Sequence, residues 1–225
     1  MRLIIFDIDG TILLNGDVVR HHFWTSFETV CGLKTPPERF SFAGMTDRSI
    51  FRRLLNGRRL EEEYEQVFRR FSAHFCESLS RHYPNAEGPF VLPGVEMLLA
   101  RLSSLPDVGL ALGTGNIRES AYIKLGRFGL DRYFPVGGFG GEHEERSEVF
   151  RAGIDAAEAH YGQPIPVSEV WVVGDTENDV RAARHIGARV LAVATGYAAA
   201  EELTGADILR ADLSNTDEIL EVLLG

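Results

Sequence analysis

Short, unbroken apolar runs punctuate the chain at Leu3 to Phe6, Val108 to Leu112, Val170 to Val173 and Val190 to Val193, with Asp207 to Leu209 as a weaker member. Runs that lack polar alternation suit strands buried on both faces of a mostly parallel sheet. Between them, apolar residues recur at helical spacing over Val95 to Leu102, Ile117 to Phe128, Val149 to Ala159 and Val180 to Ile186. Strand and helix alternate, which predicts an α/β fold with a doubly wound, mostly parallel sheet.

From about Asp17 to Tyr83 that alternation stops. Phe23, Trp24, Phe27 and Val30 share one helical face, and Leu60, Tyr64, Val67, Phe68, Phe71, Phe75 and Leu79 step by three or four. The turn chemistry of Asn15-Gly16 on one side and Asn85-Ala86-Glu87-Gly88-Pro89 on the other reads as a pair of linkers. The expected organisation is an α/β core over residues 1–14 and 91–225 with an all-helical domain, residues 15–90, inserted after the first strand. No internal repeat or low-complexity segment interrupts this plan.

Composition bounds the function. Hydrophobic residues make up 44% and charged residues 25% of the 225, a globular balance. Lys plus Arg total 23 against 33 Asp plus Glu, a net charge of -10, which is the wrong sign for coating nucleic acid or an anionic membrane. The first apolar stretch meets Asp7 too soon for a signal peptide, and no run approaches the ~20 apolar residues of a membrane span, so a cytoplasmic protein is expected. Cys31 and Cys76 form no framework or metal motif and are expected as reduced thiols. Only Lys34 and Lys124 are lysines, so chemistry that needs a lysine has two candidates.

In open α/β sheets ligands bind beyond the carboxyl ends of the strands, so the polar residues that follow the apolar runs carry the chemistry. Three runs end this way, in Asp7-Ile8-Asp9-Gly10-Thr11, in Gly113-Thr114-Gly115-Asn116, and in Gly174-Asp175-Thr176-Glu177-Asn178-Asp179. Asp7 and Asp9 are two apart and point the same way if the chain stays extended. Taken alone, Asp9-Gly10 reads first as a turn with Asp7 as a cap, and Asp179 as an acid complementing a helix N-terminus; the downstream motifs reverse that preference. Several carboxylates on one rim, however, repel unless a cation sits among them. An oxygen-only set without His or Cys points to a hard divalent ion, Mg²⁺ above all.

In their order and spacing these segments resemble motifs I, II and IV of the haloacid dehalogenase superfamily, and the helical insertion after motif I is similar to the cap of its phosphoglycolate phosphatase-like group. The resemblance implies a Mg²⁺-dependent phosphatase acting on a small phosphorylated metabolite. Asp7 would be the nucleophile and Asp9 the acid and base; Mg²⁺ would be held by Asp7, the Asp9 carbonyl and Asp175, with Asp179 close behind. Thr114, with Gly115 and Asn116, would bind the phosphoryl oxygens. The superfamily's dehalogenases resemble this chain less at Asp9, which speaks for phosphoryl transfer.

Motif III departs from the usual pattern, where a lysine is common. Lys124 follows Thr114 by ten residues, about 15 Å along a straight helix, which sets it too far away. Arg146 follows Thr114 by 32 residues and opens the next helix, and is expected to supply the motif III cation and bind phosphate; a surface arginine balancing Glu142, Glu144 and Glu145 is the alternative. In the insertion, Thr46 and Arg48 of the Phe42 to Arg48 loop are expected to face the substrate, or else to cap a helix and meet solvent. The Arg52-Arg53, Arg58-Arg59 and Arg69-Arg70 pairs alternate with Glu61 to Glu63 and Glu65, as on a solvated helix surface. A phosphomutase of the β-phosphoglucomutase type and a catalytically idle binding protein share these motifs. A receiver domain, which needs a lysine at the rim and has no helical insert, fits less well.

Overall fold

The computed structural model describes residues 1–34, 42–55, 63–196 and 198–225. Leu60, Arg58, Arg59, Glu61 and Glu62 lie outside them. Six parallel strands form the main sheet: β1 (Arg2–Phe6), β4 (Val108–Thr114), β5 (Gly137–Phe139), β6 (Val170–Gly174), β7 (Arg189–Val193) and β8 (Ile208–Arg210). Their order is β5-β4-β1-β6-β7-β8, so the chain starts in the middle and winds outward both ways. Phe6 pairs with Leu112 on one side and Val173 on the other. This register brings the residues that follow β1, β4 and β6 to one edge, at the point where the winding reverses.

The apolar runs are buried on both faces, as their lack of alternation predicts. Ile4, Phe6, Leu110, Leu112 and Val173 point into one core layer, beneath α4 (Val95–Ser103), α5 (Arg118–Gly126) and α8 (Thr216–Leu224). Leu3, Ile5, Ala111, Val170 and Val172 point into the other, beneath α6 (Arg146–Tyr161) and α7 (Glu177–Ile186). Strand β5 escapes hydropathy because two of its three residues are glycine. A Cβ at Gly138 would lie 1.8 Å from the Val149 carbonyl oxygen, so the small residue is what lets α6 pack on that strand.

Between β2 (Leu13–Leu14) and β3 (Phe90–Val91) the chain forms α1 (Val18–Cys31), α2 (Asp47–Leu55) and α3 (Tyr64–His82). These helices enclose their own cluster, in which the Phe71 ring lies 4.8 Å from Phe23 and 4.7 Å from Phe51. The buried face of α3 is Tyr64, Val67, Phe68, Phe71, Phe75 and Leu79, the stripe its sequence spacing predicts. Burial of each such aromatic or aliphatic side chain contributes about 1.5–3 kcal/mol. The two segments that lead into and out of the helices pair with each other, Leu13 with Val91 and Leu14 with Phe90, as a short antiparallel tether. Among the described residues no helix is long and apolar enough to cross a membrane.

Candidate active site

Asp7 continues β1 by one residue. Its N–H donates to the Val173 carbonyl at 2.9 Å, which fixes the backbone and leaves the nearly buried carboxylate at the sheet edge. Two residues on, Gly10 turns the chain at a φ of 91°, and a Cβ there would fall 2.2 Å from Asp175 Oδ2. Glycine is required on both counts, because an L side chain is strained at that φ and the space is already taken. The turn is closed by the Thr11, Ile12 and Leu13 N–H groups, which all donate to the Ile8 carbonyl.

Asp7, Asp175 and Asp179 each present a carboxylate oxygen within 4.8 Å of the other two, all three buried. Asp175 Oδ1 accepts from Thr11 Oγ1 at 3.1 Å, while Oδ2 is buried with no hydrogen-bond partner in the protein. Asp179 is fully engaged. Its Oδ2 accepts from the Thr176 hydroxyl and N–H, closing the capping box of α7, and its Oδ1 accepts from Arg146 Nε at 2.8 Å. Arg146 Nη2 lies 2.7 Å from both Asp7 Oδ1 and Asp179 Oδ1, as ion pairs. Arg146 is therefore no surface residue; it is 7% exposed and held between the nucleophile candidate and Asp179. Burial raises the Asp7 carboxyl to about 6, against the pull of Arg146 and with the charges of Asp179 and Asp9 adding to the rise. Burial and the same crowding push Asp175 well above the carboxylate range. Burial and mutual repulsion thus disfavour the ionised forms of Asp7 and Asp175, and a divalent cation among these oxygen ligands would favour them.

Lys124 reaches the site, contrary to the helix-length expectation. Its Nζ is 2.6 and 2.7 Å from the two Asp9 oxygens and 2.6 Å from Asn116 Oδ1. The rise of about 15 Å along α5 separates Lys124 from Thr114 but not from Asp9. The lysine side chain leans back toward the helix N-terminus, and its partner is Asp9 on the neighbouring loop. Asn116 Nδ2 donates to Asp9 Oδ2 at 2.6 Å and to Thr114 Oγ1 at 2.5 Å, and Asn15 Nδ2 donates to Asp9 Oδ1. The sequence does hold a signal for this: Lys124 sits on the same α5 face as Ile117, Ala121 and Leu125, where a charged residue is buried only if it has a partner.

Asp7, Asp9, Gly115, Asn116, Arg146 and Asp175 open on one cavity of about 460 Å³. Thr114, expected to bind the phosphoryl oxygens, is fully buried and does not line the cavity; its hydroxyl accepts from Asn116 Nδ2. The far wall comes from α1 and from the loop Phe42 to Met45 that precedes α2. That loop seats on the core so closely that a Cβ on Gly115 would lie 2.2 Å from the Met45 carbonyl oxygen. Thr46 and Arg48, expected to face the substrate, are placed elsewhere. Thr46 Oγ1 donates to the Glu144 carbonyl and accepts from Ser49 N, so it caps the start of α2. Arg48 pairs with Glu65, donates to the Gly141 carbonyl and covers the Tyr64 and Phe68 rings, outside the cavity.

Asp47 does line the cavity. Its Oδ2 accepts from Ile117 N at 2.8 Å and its own N–H donates to the Gly115 carbonyl at 2.7 Å, joining α2 to the turn after β4. Burial raises its carboxyl from 3.8 to about 7, while the Ile117 N–H and Lys124 pull the other way. The folded chain thus keeps a proton that the unfolded chain releases near pH 4. This contribution to stability is complete below that pH and is lost as pH rises through about 7. Asp47→Asn, which keeps an acceptor for Ile117 but cannot ionise, is expected to gain in melting temperature relative to the wild type between pH 5 and pH 8. Thermal unfolding of both proteins at the two pH values checks this; an equal difference at both would remove the assignment.

The family model of haloacid dehalogenase-like hydrolases matches residues 1–187. No curated protein matches the sequence. Among solved structures the chain is similar to CbbY from Rhodobacter sphaeroides in complex with phosphate, at 20% identity, a TM-score of 0.70 and 96% coverage of both chains. It is similar to a predicted phosphatase from Clostridium acetobutylicum, at 20% identity, a TM-score of 0.70 and 98% coverage of both chains. A β-phosphoglucomutase from Clostridium difficile aligns over 100% of this chain and 97% of its own, at 16% identity and a TM-score of 0.72. At these identities the likeness is one of fold.

Proposed function

The chain belongs to the haloacid dehalogenase-like hydrolase family, and we propose that within it this protein is a magnesium-dependent phosphatase hydrolysing a small phosphate monoester through an aspartyl-phosphate on Asp7. The observation that carries the reading is the setting of Asp7. Its carboxylate is nearly buried, held by Arg146 at 2.7 Å, and opens on the same cavity as Asp9 and Asp175.

In the first half-reaction an Asp7 oxygen attacks phosphorus in line, the bond to the leaving oxygen breaks, and Asp9 gives that oxygen a proton. In the second, Asp9 takes a proton from water, the water oxygen attacks phosphorus, and the bond to Asp7 breaks to release inorganic phosphate. Arg146, Gly115 and Asn116, which line the cavity, are assigned to the phosphoryl oxygens, where fixed donors offset developing charge, and Thr114 to holding Asn116. The helices α1 to α3, with the loop Phe42 to Met45, act as the cap that excludes water.

The residues fit a hard cation. Asp175 Oδ2 is an orphaned buried oxygen and the neighbouring carboxylates are acceptors only. Asp7, the Asp9 carbonyl and Asp175 would hold Mg²⁺, with Asp179 behind them, its oxygens occupied by Arg146 and Thr176. When bound, the ion supplies charge neutralisation at the phosphoryl group.

A panel of phosphorylated metabolites, assayed for inorganic phosphate after chelation and again with Mg²⁺ restored, tests the reading. Phosphate release that depends on the added ion is expected. Interconversion of sugar phosphate isomers without phosphate release would assign the mutase activity instead, and no turnover of any substrate would leave a binding protein.

A further inference from the structure

We propose that Lys124 is the positioning residue of Asp9, so that the chain divides between two residues the cationic work of the site: Arg146 serves Asp7 and Asp179, and Lys124 serves Asp9. The proposal rests on the phosphatase reading above, in which Asp9 is the proton donor to the leaving oxygen.

The hydrogen bonds leave Lys124 no other occupation. Its side chain is wholly buried, and an ammonium has three protons to donate. All three partners are within 2.7 Å: the two Asp9 oxygens and Asn116 Oδ1. The third bond returns to the same place, because it orients Asn116 so that its Nδ2 donates to Asp9 Oδ2 and Thr114 Oγ1. Arg146 does not share the task; its contacts are Asp7 and Asp179.

A lysine buried for stability alone is a poor choice, since an apolar side chain of similar volume fills such a site without desolvating a charge. What the lysine adds is direction. Asp9 remains 37% exposed on its cavity side while Lys124 holds both of its oxygens from behind. Asn15 Nδ2 donates to Asp9 Oδ1, and Asn15 Oδ1 accepts from the Tyr83 hydroxyl. Asn15 follows β2 and Tyr83 follows α3, so the segments entering and leaving the helical insertion are both tied to the carboxylate that Lys124 holds. A carboxylate that must meet a leaving oxygen needs its rotamer fixed before the substrate arrives, which is the value of preorganisation.

The test is the leaving-group dependence of single-turnover product release in Lys124→Met, compared with the wild type over a series from alkyl to nitrophenyl phosphates with Mg²⁺. Alkyl leaving groups need a proton and nitrophenolate does not. The variant is expected to lose ~100-fold on the alkyl esters and less than ~3-fold on nitrophenyl phosphate, the range of general acid catalysis. Asp9→Asn should show the same selective loss, and the double variant no further selectivity. Each slope is a ratio within one preparation, so a reduced folded fraction does not alter it. If Lys124→Met does not fold, Lys124→Arg, which keeps the charge but changes the reach, is expected to steepen the dependence as well. Equal losses on every ester would overturn the proposal and leave Lys124 a structural residue. No release by the wild type from any ester would overturn the phosphatase reading itself, a result distinct from a parallel line.

Discussion

Asp7→Asn is expected to abolish turnover, lowering kcat by ~10⁴ or more, as removal of a covalent nucleophile does elsewhere, while the protein stays folded. The second half of that expectation comes from electrostatics. Burial and the charges of Asp179 and Asp9 make the ionised Asp7 carboxylate costly, enough to lift its pKa to about 6 despite Arg146. An amide in its place removes that cost. The sign follows from linkage: a raised carboxyl pKa gives stability that is full below about pH 4 and lost as pH rises through about 6. Without divalent ions the variant should therefore melt no lower than the wild type at pH 8. It should also show a smaller rise in melting temperature on adding Mg²⁺, because one of the three clustered carboxylates no longer carries charge. Activity assays, intact-protein mass spectrometry for the phosphorylated enzyme, and thermal unfolding with and without the ion check the three parts. A variant that still releases phosphate in a Mg²⁺-dependent manner would move the nucleophile to another residue.

Much of this site is legible in the chain because of where parallel strands end. Asp7, Thr114 and Asp175 each follow an apolar run, and strand register forces such residues onto one edge. The fold class follows from the same runs. What the sequence conceals has physical causes. Strand β5 is hidden because the close approach of α6 requires glycine, which carries no hydropathy signal. The position of Arg48 depends on Glu65 and on the Gly141 carbonyl, a residue from α3 and one from the core, and no local pattern encodes that meeting. Lys124 is hidden for a third reason. Spacing along a helix gives distances to the same chain segment, whereas its partner arrives from a loop 115 residues earlier.

Arg146→Ala is the second large effect, and it should separate charge from packing. The guanidinium faces two buried carboxylates at once, so its removal leaves Asp7 and Asp179 without their counter-charge. Truncating one partner of a buried ion pair costs about 3–5 kcal/mol of stability, and loss of a donor aimed at developing charge costs ~10²–10³ in kcat. The stability deficit should grow with pH. Arg146 lowers the Asp7 pKa, so without it the folded value climbs further above 3.8 and the native state holds its proton over a wider range. Stability is then lost over that wider span as pH rises, and the melting-temperature gap between variant and wild type should be larger at pH 8 than at pH 5. Arg146→Lys is expected to recover part of both losses, because an ammonium restores the charge but lacks the planar fork that meets Asp7 and Asp179 together. A gap independent of pH, together with full activity, would mean that Arg146 only fills space between α6 and α7. Its ion pairs with the two carboxylates would then carry no functional weight.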